Sequence, residues 1–151
     1  MSHDGPSNPR AADAKGAVSA GVFSFDHLKA GMILGRHEDR IDEPALANWR
    51  AIYGGSGADD PDARVPSGFA AVLIMRAYLS IVSPRPPGNI HRLLALRTHA
   101  PLPRNQCLQT TVVCVAKEMR GERRYVRFSA DCRCNDGALV VVGALELLWA
   151  A

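Results

Sequence analysis

The apolar positions of this chain change rhythm once, near its middle. Upstream they recur at three- and four-residue intervals, and downstream they fall on every second residue. Leu46, Trp49, Ile52 and Tyr53 form one helical stripe. Asp42 stands where an N-cap belongs, and the acidic Asp42-Glu43 pair suits the positive end of a helix dipole. Pro44 is tolerated in a first turn, and Gly54 ends the segment as a left-handed cap. A second segment, Ser67 to Val82, has one charge, Arg76, and no polar face. That pattern predicts a helix buried on every side. Ser67, behind Pro66, takes its cap position, and Ser83-Pro84 with Pro86-Pro87-Gly88 terminates it.

The remainder reads as strand. A short extended lead-in from Phe23 precedes a strand from Ile33 to Ile41. Ile90 to Thr98 is followed by a Pro101/Pro103 break, and Gln106 to Met119 is rich in Thr and Val. From Arg123 to Cys134 the alternation is clean. Val126, Phe128, Ala130, Cys132 and Cys134 take one face, and Tyr125, Arg127, Ser129, Asp131 and Arg133 take the other. Asn135-Asp136-Gly137 is hairpin chemistry, and Ala138 to Trp149 is apolar on both faces except at Glu146. The C-terminal half therefore reads as an antiparallel meander, with one face of the last strand seeking a partner. A helix without a solvent face, followed by long antiparallel strands, predicts an α+β domain whose sheet curls around that helix, the hot-dog arrangement.

Composition narrows this picture. The 151 residues suit one domain, with 47% hydrophobic and 22% charged residues, which excludes disordered and fibrous classes. Residues 1–20, rich in Ser, Gly, Ala, Pro and Asn, are expected to be a disordered tail, leaving 22–151 as the domain. The uncharged run Val65 to Met75 is far shorter than the roughly 18 residues a membrane span needs. No apolar core of a secretion signal is present in Met1 to Gly21, so a cytoplasmic location without membrane attachment is expected. The net charge is +3, and the densest basic cluster, Arg120, Arg123, Arg124 and Arg127, is interrupted by Glu122 in the manner of a solvated face. Only 6% of residues are aromatic, which argues against nucleic acid as a partner. Cys107, Cys114, Cys132 and Cys134 lack zinc spacing and read as small buried hydrophobes rather than a metal site.

Three stretches carry a resemblance: Asn48-Trp49-Arg50-Ala51-Ile52-Tyr53-Gly54, Val65-Pro66-Ser67-Gly68-Phe69, and the ending from Ala138 to Leu148. Together with the order of elements over residues 22–150, they resemble the MaoC-like hot-dog proteins, which include (R)-specific enoyl-CoA hydratases and related dehydratases. The resemblance implies reversible addition of water to an enoyl thioester. It implies an Asp/His dyad in a G-D-x-N-P-x-H motif after the short helix, and an A-H-G-M start to the buried helix whose N–H polarises the thioester carbonyl.

Position by position, Gly54 matches the motif glycine and Gly68 that of the helix start. The motif Asp falls on Gly55, its His on Asp60, and the helix-start His on Ser67, and no His occurs from Asp39 to Asn89. Two readings follow. In a divergent enzyme Asp59, Asp60 or Asp62 would be the general base and the Gly68 amide the oxyanion donor. Asp59-Asp60-Pro61-Asp62 is also ordinary turn chemistry. Ser67 is a further candidate, as a nucleophile without a neighbouring base, and its capping position explains it equally. In the second reading the chain is a non-catalytic subunit that completes the acyl pocket of a dyad-bearing hot-dog partner. A thioesterase would want an acid on or beside the buried helix, which holds none. No cofactor is implied beyond CoA or an acyl-carrier thioester as substrate handle, for which Arg64, Arg92, Arg97, Arg104 and Arg127 are candidate phosphate ligands. A homodimer, or a hetero-oligomer with another hot-dog protein, is the expected assembly. His91 and His99, eight residues apart on or near a strand, are expected to share a face.

Overall fold

The computed structural model describes residues 23–54 and 64–150. The expected tail at 1–20 and the aspartates Asp59, Asp60 and Asp62 lie outside the described residues. Two helices and five strands follow one another as β1 (Ile33–Arg40), α1 (Glu43–Tyr53), α2 (Phe69–Ile81), β2 (Ile90–Thr98), β3 (Cys107–Arg120), β4 (Arg123–Cys134) and β5 (Leu139–Trp149). The strands form one antiparallel sheet in the order β1-β3-β4-β5-β2. No helix of the described residues is long and apolar enough to cross a membrane.

The alternation in β3, β4 and β5 builds the core. Leu108, Val112, Cys114, Phe128, Ala130, Cys132, Val141, Leu145 and Leu147 are buried on the inner face. Against them α2 lays Phe69, Ala70, Leu73, Ile74, Ala77 and Tyr78. Gly143 makes the close approach possible, since a Cβ there would stand 2.5 Å from Ile74 Cγ2. The hairpin at Asn135-Asp136-Gly137 forms as its chemistry requires. Gly137 adopts φ 86° and donates to the Cys134 carbonyl at 2.9 Å, and the Asp136 carboxylate accepts from Ala138 N–H at 2.9 Å. Cys114 and Cys132 are buried, and burial pushes both thiols above the ordinary range, so they are packing groups rather than nucleophiles.

Four expectations are corrected. The C-terminal strands are not one continuous meander: β3-β4-β5 is, but β2 pairs with β5 at the far edge. With β1 paired on one side of the meander, the strand that follows α2 takes the other. The lead-in from Phe23 is a turn, not an extended segment, because burying Phe23 and Leu28 folds it back over the sheet end, where Trp149 Nε1 donates to the Phe23 carbonyl at 3.0 Å. Next, α2 is not buried on every side. The sheet covers one flank, and Arg76, Leu79 and Ser80 remain exposed on the other. Finally, the α1 stripe is buried only at Leu46 and partly at Trp49. Ile52 is 73% and Tyr53 68% exposed, because the last turn of α1 overhangs the start of α2 and no described element covers it.

Candidate functional site

The site is built where α1 crosses the start of α2. Asp42 caps α1 as expected, its carboxylate accepting from Ala45 N–H at 2.9 Å. Gly54, at φ 74°, ends the helix with its N–H on the Arg50 carbonyl. This fixes Trp49 over the first turn of α2. Its indole ring lies 5.0 Å from the Phe69 ring and 4.4 Å from the Tyr53 ring. Trp49 also dictates the residue at position 68, because a Cβ there would meet Trp49 Cη2 at 2.6 Å and Cζ2 at 2.8 Å. A depression of about 210 Å³ opens beside this aromatic wall, with Ile52, Val72 and Arg76 also on its lining.

The start of α2 differs from the sequence expectation at Ser67. Its hydroxyl caps nothing, and the N-cap is Gly68, in helical geometry at φ −60° and ψ −22°. The reason is a tight lead-in turn. The carbonyls of Pro66, Ser67 and Gly68 accept from the N–H groups of Phe69, Ala70 and Ala71 at 3.0, 3.0 and 3.1 Å. Those three donors therefore need no side-chain cap. Gly68 N–H has no backbone acceptor among the described residues. It sits at the positive end of the helix dipole, where negative charge is stabilised. Ser67 itself is exposed.

The five candidate arginines do not gather around this point. Arg64 is exposed just before Val65 and lies closest to it along the chain. Arg104 pairs with Glu43 at the opposite end of α1. Arg92 reaches Glu146 at 2.8 Å, and Arg127 stands opposite Glu146 in the β4-β5 register. Arg92 and Arg120 also stack on Tyr125, with their guanidinium carbons 5.2 and 4.5 Å from its ring centre, which explains why Tyr125 is buried on a polar face. Arg97 lies on the outer face opposite Val142 and lines a shallow hollow with His99. His91 and His99 do not share a face. An irregularity between His91 and Leu93 shifts the register, so His91 turns inward to within 6.3 Å of the Tyr78 ring.

One cluster was not singled out from the sequence. Arg76, the only charge of α2, reaches Asp39 of β1 at 3.3 Å, and His37 Nε2 lies 3.9 Å from the same carboxylate. The signal was present in β1, where Gly35, His37 and Asp39 alternate onto the face that meets α2. Among the described residues no three His, Cys, Asp or Glu side chains group to hold a metal ion.

With this geometry the chain is similar to several solved structures. The R-hydratase PhaJ1 of Pseudomonas aeruginosa matches at a TM-score of 0.67 and 20% identity, over 83% of this chain and 84% of that one. The chain has the hot-dog fold. A MaoC-like dehydratase from Rhodospirillum rubrum gives a TM-score of 0.67 at 16% identity, over 83% of this chain and 96% of that one. The HadBC (3R-hydroxyacyl-ACP dehydratase) complex of Mycobacterium tuberculosis gives 0.64 at 18%, over 79% and 96%. No protein-family model matches the chain, and no curated protein sequence does. The hot-dog likeness therefore rests on the path of the backbone, and it agrees with the MaoC-like pattern found in the sequence.

Proposed function

We propose that this chain is a MaoC-like acyl-thioester-binding protein of the enoyl-CoA hydratase or 3-hydroxyacyl-CoA dehydratase type. The observation that carries the proposal is the start of α2: on a hot-dog fold, a Gly68 amide with no described backbone acceptor sits beside an aromatic wall of Trp49, Tyr53 and Phe69. In this reading the thioester oxygen accepts from Gly68 N–H and the acyl chain lies along the apolar depression. Asp60, or its neighbours Asp59 and Asp62, takes a proton from water as the water oxygen bonds the β-carbon of the enoyl group. The electron pair moves onto the thioester oxygen, where the Gly68 amide and the α2 dipole stabilise it, and a proton then adds at the α-carbon. Dehydration is the same path reversed. Ser67, exposed and beside no base among the described residues, has no step in this path. Arg64, at the entry to α2, is the first candidate for the CoA phosphates, and free thiols at all four cysteines suit a reducing cytoplasm.

A second reading is favoured by a specific observation: Gly55 and Asp60 stand where the family pattern has Asp and His. In it the chain binds the acyl group but leaves the chemistry to a dyad-bearing hot-dog partner. The purified chain is incubated with a trans-2-enoyl-CoA while the conjugated enoyl absorbance is followed. Turnover that disappears in Asp60→Ala supports the first reading. Turnover only after a dyad-bearing hot-dog chain is added supports the second.

A further inference from the structure

Among the described residues, one charged side chain lines the depression between α1 and α2. Phe69, Val72 and Arg76 follow one another at three- and four-residue spacing, so they share one face of α2. Trp49, Ile52 and Tyr53 wall the depression from α1, and Ala45 and Asn48 complete its lining. Arg76 is also the only charge of α2. Gly68 directly precedes Phe69 at one end of this face, and Arg76 stands at the other. Eight residues of α-helix rise about 12 Å, which sets the span between the two ends.

Asp39 of β1 steadies the guanidinium, since both of its carboxylate oxygens accept from Arg76 Nη1 at 3.3 Å. Asp39 does not serve Arg76 alone. Its Oδ1 also accepts from Arg40 N–H at 2.7 Å, and His37 Nε2 lies 3.9 Å from Oδ2. The carboxylate charge is therefore shared, and Nη2 and Nε of Arg76 meet no acceptor among the described residues. The Arg76 side chain is 48% exposed, and an ion pair that open contributes little to holding α2 against β1. The buried face of α2 does that. What the pair does achieve is to hold a cation at one end of an apolar depression.

We propose that Arg76 selects acyl thioesters whose far end carries a carboxylate. With the thioester oxygen on Gly68 N–H, the hydrocarbon spans the apolar face, and the terminal carboxylate meets the guanidinium edge that Asp39 leaves free. Trp49, Phe69 and Val72 line the way between the two ends, so hydrocarbon rather than the phosphate handle runs over it. This rests on the thioester reading above and adds the substrate class to it.

The test compares suberoyl-CoA with octanoyl-CoA by calorimetry. The two have the same chain length and differ at the far end by the carboxylate. The wild type should bind suberoyl-CoA about tenfold more tightly, and Arg76→Gln should bring the two affinities together. Circular dichroism and thermal melting check the fold of the variant, and the wild-type comparison stands without it. Equal affinities in the wild type, or tighter binding of octanoyl-CoA, overturn the inference and leave the thioester reading in place. A preference that survives in Arg76→Gln overturns it too, because the carboxylate is then read by another group. If neither thioester binds, the thioester reading fails and the inference fails with it.

Discussion

At its C-terminal end α2 is closed. Val82 N–H bonds the Tyr78 carbonyl, and Arg85 Nη1 donates to the carbonyls of Val82 at 2.9 Å and Leu79 at 3.3 Å while its guanidinium lies over the Tyr78 ring. The same helix begins without a side-chain cap, with a glycine held under an indole and an amide that no described backbone group uses. A cation on the last carbonyls is ordinary structural economy. At the start, by contrast, an amide without a backbone acceptor among the described residues stands beside a depression walled by Trp49, Tyr53 and Phe69. The contrast teaches that the stability of α2 comes from its middle and its C-terminal end rather than from a capped start.

Damage to the middle should harm the whole helix, and this is the largest effect expected. Ile74 is fully buried and seated on Gly143. Ile74→Ala removes buried methyl groups and leaves a cavity, at a cost of about 2–5 kcal/mol. Urea unfolding should show the loss as a lower midpoint at an unchanged slope.

The next effect is selective for the open end. In Gly68→Ala the new Cβ meets the Trp49 ring at 2.6 Å, so the indole has to leave its contacts with Tyr53 and Phe69. A cost of about 1–3 kcal/mol is expected, together with weaker acyl-CoA binding by calorimetry. Trp49→Leu in the Gly68→Ala background should recover part of the stability by making room. If Gly68→Ala leaves both stability and binding unchanged, the indole does not police this position.

At the closed end Arg85→Ala should cost about 1 kcal/mol in thermal unfolding, since the guanidinium is only half-buried and water can replace it on the carbonyls. Acyl-CoA binding should not change. A parallel loss of binding would mean that the two ends act together, and the contrast between them would fail.

These elements were legible in the sequence to different degrees. Asp42 as cap, Gly54 as stop, the Asn135-Asp136-Gly137 turn and the bounds of β2 and β4 follow from local chemistry, and they stand as expected. What local chemistry does not encode is what lies above a residue once the chain has folded. Ile52 and Tyr53 keep helical spacing but overhang. Ser67 lost its capping role because a turn of carbonyls had already taken the donors. β2 crosses to the far edge of the sheet, a choice set by which edge was vacant. His91 changed face through one irregular residue. The Asp39–Arg76 pair joins two elements 37 positions apart in sequence, so no window of residues displays it. At the start of α2, Gly68 was singled out by its match to the family's helix-start glycine, while the indole that leaves no room for a Cβ there is a tertiary fact.

The smallest effect at neutral pH concerns Tyr78, and it grows as the solution becomes alkaline. Burial pushes its hydroxyl from the ordinary 10.0 up to about 12, against the opposing pull of the Arg85 guanidinium. Below pH 10 both folded and unfolded chains hold the proton, so Tyr78→Phe should change stability little. Between pH 10 and about 12 the unfolded chain releases that proton while the folded one keeps it. The folded state then binds more protons than the unfolded one, and stability falls as pH rises. Phe at position 78 has no proton to release, so this part of the alkaline loss should vanish in Tyr78→Phe, and its melting temperature should overtake that of the wild type above pH 10. The buried thiols of Cys114 and Cys132, also shifted upward, contribute the same sign of loss from about pH 9 in both proteins and cancel in the comparison. Melting curves of the two chains that stay parallel to pH 12 would show that the Tyr78 hydroxyl is solvated, and that the closed end of α2 is looser than its Arg85 hydrogen bonds imply.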